Sequence, residues 1–236
     1  MAEQLKPGDP FRVAMLVYPG ITQLDLTGPM QFFSMVPGVD LRLYWKNLSP
    51  IACNSGLQLI PTQTFADSSA IDLLFVPGGP GQVEWMADDE VLGFLRRAAA
   101  SARYITAVCT GSLLLGAAGL LQGYRATTHW MAMENLAPLG AIATPERVVI
   151  DRNRITGGGV TAGIDFALTV IAELWGERVA RGVQLGLEYD PEPPFAAGSP
   201  RSADPAEVEA ARSRMRPSIE RRMEATRKAA ARLSLS

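Results

Sequence analysis

The sequence predicts an α/β fold, a mostly parallel sheet with helices on both faces, and three observations carry that expectation. Apolar runs of strand length recur at Phe11 to Tyr18, Ile71 to Val76 and Tyr104 to Val108, as expected for strands buried on both faces. Segments of helical composition lie between them. Proline and glycine punctuate the joins, as at Pro19-Gly20 and Pro77-Gly78-Gly79. Strands alternating with helices in this way pair in parallel through crossover helices.

Taken in order, Phe11 to Tyr18 is the first strand, and Thr22 is placed to cap a helix running through Phe33. Val36-Pro37-Gly38 stops that helix before a second strand at Asp40 to Trp45. Gly56 to Phe65 reads as a short strand or hairpin segment, and Ile71 to Val76 as a central strand. Asp88 caps a helix to about Ser101, Tyr104 to Val108 is a strand, and Thr110 to Leu121 has the small and leucine-rich composition of a buried helix. Val148 to Ile150 and Arg154 to Thr156 flank a turn as a hairpin does, and Gly157-Gly158-Gly159 precedes a helix from Ala162 to Trp175. Residues 1–10 form an N-terminal tail, 11–189 the α/β domain, 190–204 a proline-rich connector, and 205–236 a helical extension. Within the extension, Pro205 to Met215 and Pro217 to Leu233 are helical in composition. Val208, Ala211, Met215, Ile219 and Met223 recur at helical spacing, with arginines on the other faces, as in a docked amphipathic helix.

Composition narrows the function classes. With 236 residues, 47% hydrophobic and 19% charged, the chain buries a substantial core. A net charge of -2 gives no electrostatic reason to bind nucleic acid or anionic membranes through the chain as a whole. No stretch has the length and hydropathy of a membrane span or a signal sequence. Two cysteines make no disulfide framework and one histidine leaves little material for a transition-metal site. A cytoplasmic protein without metal or other cofactor is expected.

The strongest chemical signal is Ala107-Val108-Cys109-Thr110-Gly111. An apolar strand runs into a helix with a cysteine at the join, the placement of a nucleophile elbow, although Ala107 stands where the usual elbow has glycine. The helix N-terminus favours a thiolate, and Gly111 permits close packing of helix on strand. Cys109 also reads as a small buried hydrophobe. Cys53 lacks the helix-start placement and reads as structural.

Several linked motifs resemble the PfpI superfamily: Val76-Pro77-Gly78-Gly79-Pro80-Gly81, Val108-Cys109-Thr110-Gly111-Ser112, and Ala126-Thr127-Thr128-His129-Trp130. Within it, Gln23 to Pro29, Ile155 to Phe166 and Leu187 to Asp190 resemble the isonitrile hydratase branch. The resemblance covers roughly residues 11 to 200 and implies a flavodoxin-like sheet, a homodimer and no cofactor. It also implies a carboxyl group beside the nucleophile, at Asp25, which taken alone is an acid in the first turn of a helix. It places Thr110 and Gly79 on the anion-stabilising side of the pocket and the backbone near Val160 against the cysteine. Without it, Pro-Gly-Gly is a turn and Thr110 an early helical residue.

The implied activity is hydration of a small-molecule isonitrile to an N-substituted formamide, through a thioimidate on Cys109 with Asp25 as general acid and base. His129 borders the pocket without completing a triad, because the place two residues on, where a glutaminase of this fold carries an acid, is Met131. Its other reading is a core histidine. Glyoxalase-like or deglycase chemistry on reactive carbonyls is one alternative. A ligand-sensing domain is another, since related domains are fused to DNA-binding modules, but this chain carries too few residues after the core for the usual pair of helix-turn-helix motifs.

Overall fold

The computed structural model describes residues 4–67 and 69–234. The first three residues of the expected tail and the last two of the expected extension lie outside the described residues. In chain order the elements are β1 (Phe11–Leu16), α1 (Gln23–Ser34), β2 (Val39–Trp45), β3 (Ile51–Ala52), β4 (Gln58–Leu59), β5 (Gln63–Thr64), β6 (Leu73–Val76), α2 (Gln82–Trp85), α3 (Asp89–Ser101) and β7 (Tyr104–Val108). They continue with α4 (Gly111–Ala117), β8 (Arg125–Ala126), two 3₁₀ turns at Trp130–Asn135 and Ala137–Leu139, β9 (Ile142–Ala143), β10 (Val148–Asp151), β11 (Arg154–Gly157), α5 (Ala162–Trp175), α6 (Glu177–Gly186) and α7 (Pro205–Leu233).

Seven strands form the main sheet in the order β10-β11-β7-β6-β1-β2-β5. All neighbours pair in parallel except the hairpin of β10 with β11. The apolar runs read from the sequence are its buried centre: Val13, Leu16, Leu74, Phe75 and Val76 are fully inaccessible. The chain leaves β1 toward β2 on one side and returns to β6 on the other, so the order reverses between β1 and β6. Ligands of open α/β sheets bind outside the carboxyl ends of the strands at such a reversal. The loops after β1, β6 and β7 meet there.

Local chemistry accounts for most element boundaries. Asp88 accepts a hydrogen bond from the Val91 N–H at 3.0 Å and starts α3 as expected. Thr22 stands at the cap position of α1 but makes no cap bond; its hydroxyl instead accepts from Asn54 Nδ2 at 3.2 Å. The expected strand across Gly56 to Phe65 is divided, with β4 pairing back on β3 and β5 joining the sheet edge beside β2. The helix after Cys109 ends at Ala117, and Gly119 adopts φ +78° where a helix cannot continue. Helix α6 is not foreseen by the sequence reading.

The two expected C-terminal helices are one, α7, running through Pro217. Proline lacks an N–H and leaves the carbonyl of Ser213 without its helical donor; Ser213 is exposed, where solvent compensates. None of the expected stripe residues Val208, Ala211, Met215, Ile219 and Met223 is buried, and the face of α7 that packs carries an arginine instead of leaving the arginines to the other faces. Arg222, Thr226 and Ala229 are buried, whereas no residue of α7 before Arg222 is, and Met215 is exposed.

Candidate active site

Cys109 occupies the join of β7 and α4 with φ +53°, a left-handed conformation unusual for any residue but glycine or asparagine. The turn is over-determined by its neighbours. The Cys109 N–H donates to the carbonyls of Gly157 and Gly158 at 3.0 and 2.9 Å, and the Thr128 hydroxyl donates to the Cys109 carbonyl at 2.7 Å. Gly111 is required by packing: a Cβ there would lie 2.0 Å from the Val76 carbonyl oxygen. The helix can therefore start directly against β6, carrying the sulfur over the sheet end.

Asp25 comes from the first turn of α1 and is fully inaccessible. Its Oδ2 accepts from the Gly78 N–H at 3.1 Å, while Oδ1 is buried with no conventional hydrogen-bond partner. The carboxyl interacts with the Cys109 thiol. Gly78 shows how tightly the group is assembled. A Cβ at that position would meet the Thr110 nitrogen at 2.6 Å, Asp25 Oδ2 at 2.8 Å and Cys109 Cβ at 2.8 Å. No side chain fits at residue 78 without displacing Thr110, Asp25 or Cys109.

Burial dominates the electrostatics. It raises Asp25 from 3.8 to about 7, against the opposing bonds from the Cys109 thiol and the Gly78 N–H. Burial also drives the Cys109 thiol well above its ordinary value, and the Asp25 charge adds to that; the N–H groups of Val160 and Thr110 pull the other way. The sequence alone suggests a thiol acidified by the helix N-terminus. Here desolvation and the facing carboxylate outweigh that dipole, so the site is a coupled pair rather than a free-standing thiolate.

Val160, Thr110 and Gly79 are linked to this pair by hydrogen bonds, though not all as expected. Val160 is strained at φ +30° and presents its N–H to the sulfur. Thr110 presents its N–H to the sulfur as well, but its hydroxyl is engaged with Gly79: it accepts from the Gly79 N–H at 3.0 Å and donates to the Gly79 carbonyl at 3.2 Å. Gly79 thus holds Thr110 instead of offering a free N–H, and the donor on the acid is the neighbouring Gly78. His129 accepts from the Met131 N–H through Nδ1 at 3.2 Å. Burial, with a contribution from Arg222, lowers its pKa to about 4, so it is a neutral ring that starts a 3₁₀ turn. Cys53 lies in the core next to the β3–β4 hairpin.

Two further residues belong to this neighbourhood. The Tyr18 hydroxyl, buried at the end of β1, donates to the Pro77 carbonyl at 2.9 Å, and burial plus the charges of Asp25 and Cys109 raise its pKa. Its only sequence signal is a polar atom closing an apolar run. Arg222 of α7 acts electrostatically on both His129 and Cys109; one arginine in an arginine-rich helix carries no local signal. Among the described residues no group of three or more His, Cys, Asp or Glu could hold a metal ion, and no helix is long and apolar enough to cross a membrane.

The model of the DJ-1/PfpI family matches residues 11–173. An isonitrile hydratase from Pseudomonas putida is 53% identical over 224 residues, covering 95% of this chain and 98% of that protein. The crystal structure of a THiJ/PfpI family protein from Pseudomonas syringae superposes with a TM-score of 0.91 at 44% identity, covering 94% of this chain and 93% of the other. The transcriptional regulator GbdR of Pseudomonas aeruginosa, of the HTH type, is 31% identical over 192 residues, which is 77% of this chain but 52% of the regulator.

Proposed function

The chain belongs to the DJ-1/PfpI family, and from that premise we propose that it is an isonitrile hydratase, converting an isonitrile and water to an N-substituted formamide. The observation that carries this reading is the buried pair of Cys109 and Asp25 on the elbow, in a site whose only histidine is neutral and hydrogen-bonded to backbone. Acyl hydrolysis needs a base poised on the thiol and oriented by an acid. Hydration of an isonitrile needs something else: a sulfur nucleophile and a proton delivered to the same carbon.

The coupled pair supplies both from one proton. Above about pH 7 the pair carries one negative charge. When that charge sits on sulfur, the proton sits on Asp25, and the Val160 and Thr110 N–H groups favour this arrangement. The thiolate attacks the terminal carbon, forming the C–S bond, while Asp25 protonates that carbon to give the thioimidate. Asp25, now a carboxylate, takes one proton from water as its oxygen adds to the same carbon and passes that proton to the nitrogen; it then takes the remaining hydroxyl proton as the tetrahedral intermediate collapses. The C–S bond breaks in that collapse, releasing the formamide and restoring the pair. Gly79, bonded to Thr110, keeps that residue's N–H on the sulfur.

The finer features are part of the same proposal. Residues 11–189 serve as the catalytic domain and 205–236 as an extension that covers it. Two free cysteines, both buried, suit a cytoplasmic enzyme, and a homodimer offers a partner for the open half of α7. Incubation with an alkyl isonitrile and, separately, with methylglyoxal, followed by mass detection of products, tests the reading. Formamide from the first and no product from the second is expected. Methylglyoxal turnover without formamide would overturn it.

A further inference from the structure

Arg222 is a buried charge with no ion-pair partner among the described residues. It is 7% exposed, its Nε has no hydrogen-bond partner, and no carboxylate among the described residues pairs with it. The other charges that act on it are those of Cys109 and Arg221. A guanidinium stays protonated at any working pH, and burying it unpaired is costly. An anion that arrives from outside would relieve that cost.

Its place points to the active site. Helix α7 packs on both 3₁₀ turns, α4 and α2, and Arg222 shares its buried face with Thr226. Thr226 Oγ1 accepts from Asn135 Nδ2 at 2.9 Å, which fixes this face on the turn that begins beside His129. The His129 ring lies against Gly159, whose added Cβ would meet it at 2.5 Å. Gly159 precedes Val160, the residue donating to the Cys109 sulfur. The guanidinium is thus brought by the far end of the chain to the same cluster as the nucleophile. Its planar fork suits a carboxylate, which accepts two parallel N–H bonds.

We propose that Arg222 is a specificity-determining residue that binds an anionic group, a carboxylate, on the substituent of the isonitrile. This rests on the hydratase reading and names its substrate class. The isonitrile carbon, held at Cys109, and the carboxylate, held at Arg222, fix the two ends of a small substrate such as an isocyano acid.

The test compares isocyanoacetate with its methyl ester, which keeps the isonitrile and removes the charge. The wild-type enzyme is expected to favour the acid in kcat/KM by about 10- to 100-fold, the range of a charge-assisted hydrogen bond. In Arg222→Gln the acid-over-ester preference collapses, chiefly through KM, and Arg222→Lys restores part of it. Equal wild-type turnover of acid and ester would overturn the proposal, as would an equal loss of both in Arg222→Gln, which is the result expected if the arginine serves the thiolate alone. Calorimetric binding of N-formylglycine against its methyl ester reads the same preference without turnover. Absence of formamide from either substrate would sink the hydratase reading, while the binding comparison would still decide whether Arg222 selects a carboxylate.

Discussion

The two cysteines are equally buried, 5% exposed each, both are free, and burial raises the pKa of both thiols. Exposure and the direction of the thiol shift therefore do not tell them apart. Cys53 lies beside the β3–β4 hairpin, its N–H donating to the Leu57 carbonyl at 2.8 Å, with burial as the single cause of its shift. Cys109 sits at a positive φ, faces a carboxyl, and receives two backbone N–H groups. The difference lies in what can take and return a proton. A buried thiol becomes reactive only where the structure supplies a partner for its proton and donors for its charge.

Removing each sulfur tests this contrast most directly, beginning with Cys109. Cys109→Ala deletes the proposed nucleophile and little volume, so hydration is expected to fall by about four orders of magnitude or more while the far-ultraviolet circular dichroism is unchanged. Asp25→Asn keeps the size and removes the exchangeable proton, for a loss of about 10²- to 10⁴-fold in the chemical step. Single-turnover kinetics with mass detection of the Cys109 adduct locates the defect. Normal adduct formation in Asp25→Asn would deny Asp25 the first proton transfer.

The pH dependence sharpens the comparison further. Because the proposed reactive form of the pair is singly ionised and burial raises Asp25 to about 7, kcat/KM should fall about tenfold per unit below that pH and level off above it. Stability runs the opposite way. The folded pKa of Asp25 lies above its ordinary 3.8, so its contribution is fully present below 3.8 and is lost as pH rises through about 7. Asp25→Asn escapes that loss, and at pH 8 it should be more stable than wild type by on the order of 2 to 4 kcal/mol in urea unfolding. The smallest effect belongs to Cys53→Ala: activity within about twofold of wild type, and about 1 kcal/mol of stability from the lost packing.

Much of the fold was legible because it is written in local pattern. The apolar runs at 11, 71 and 104, the Asp88 cap and the glycine after Cys109 each declare themselves within a few residues. Helix α6 escaped because its polar, arginine-bearing sequence buries only Ala180 and Val183. Pro217 suggested a break that solvent exposure at Ser213 makes unnecessary. Tyr18 and Arg222 gave no signal, since their relevance comes from elements distant in the chain.

By itself, then, the sequence determined a parallel sheet and a cysteine at a strand-to-helix join, because hydrophobic period, capping and turn chemistry act between near neighbours. The resemblance of its motifs pointed to Asp25. Only the tertiary structure decided that Gly78 rather than Gly79 donates to that carboxyl, that His129 is neutral, and that Asp25 titrates near 7. It alone brought Arg222 to the cluster around the sulfur. Hydrogen-bond partners and desolvation depend on which loops meet at the sheet end, and that meeting sums contributions from segments that no sequence window contains together.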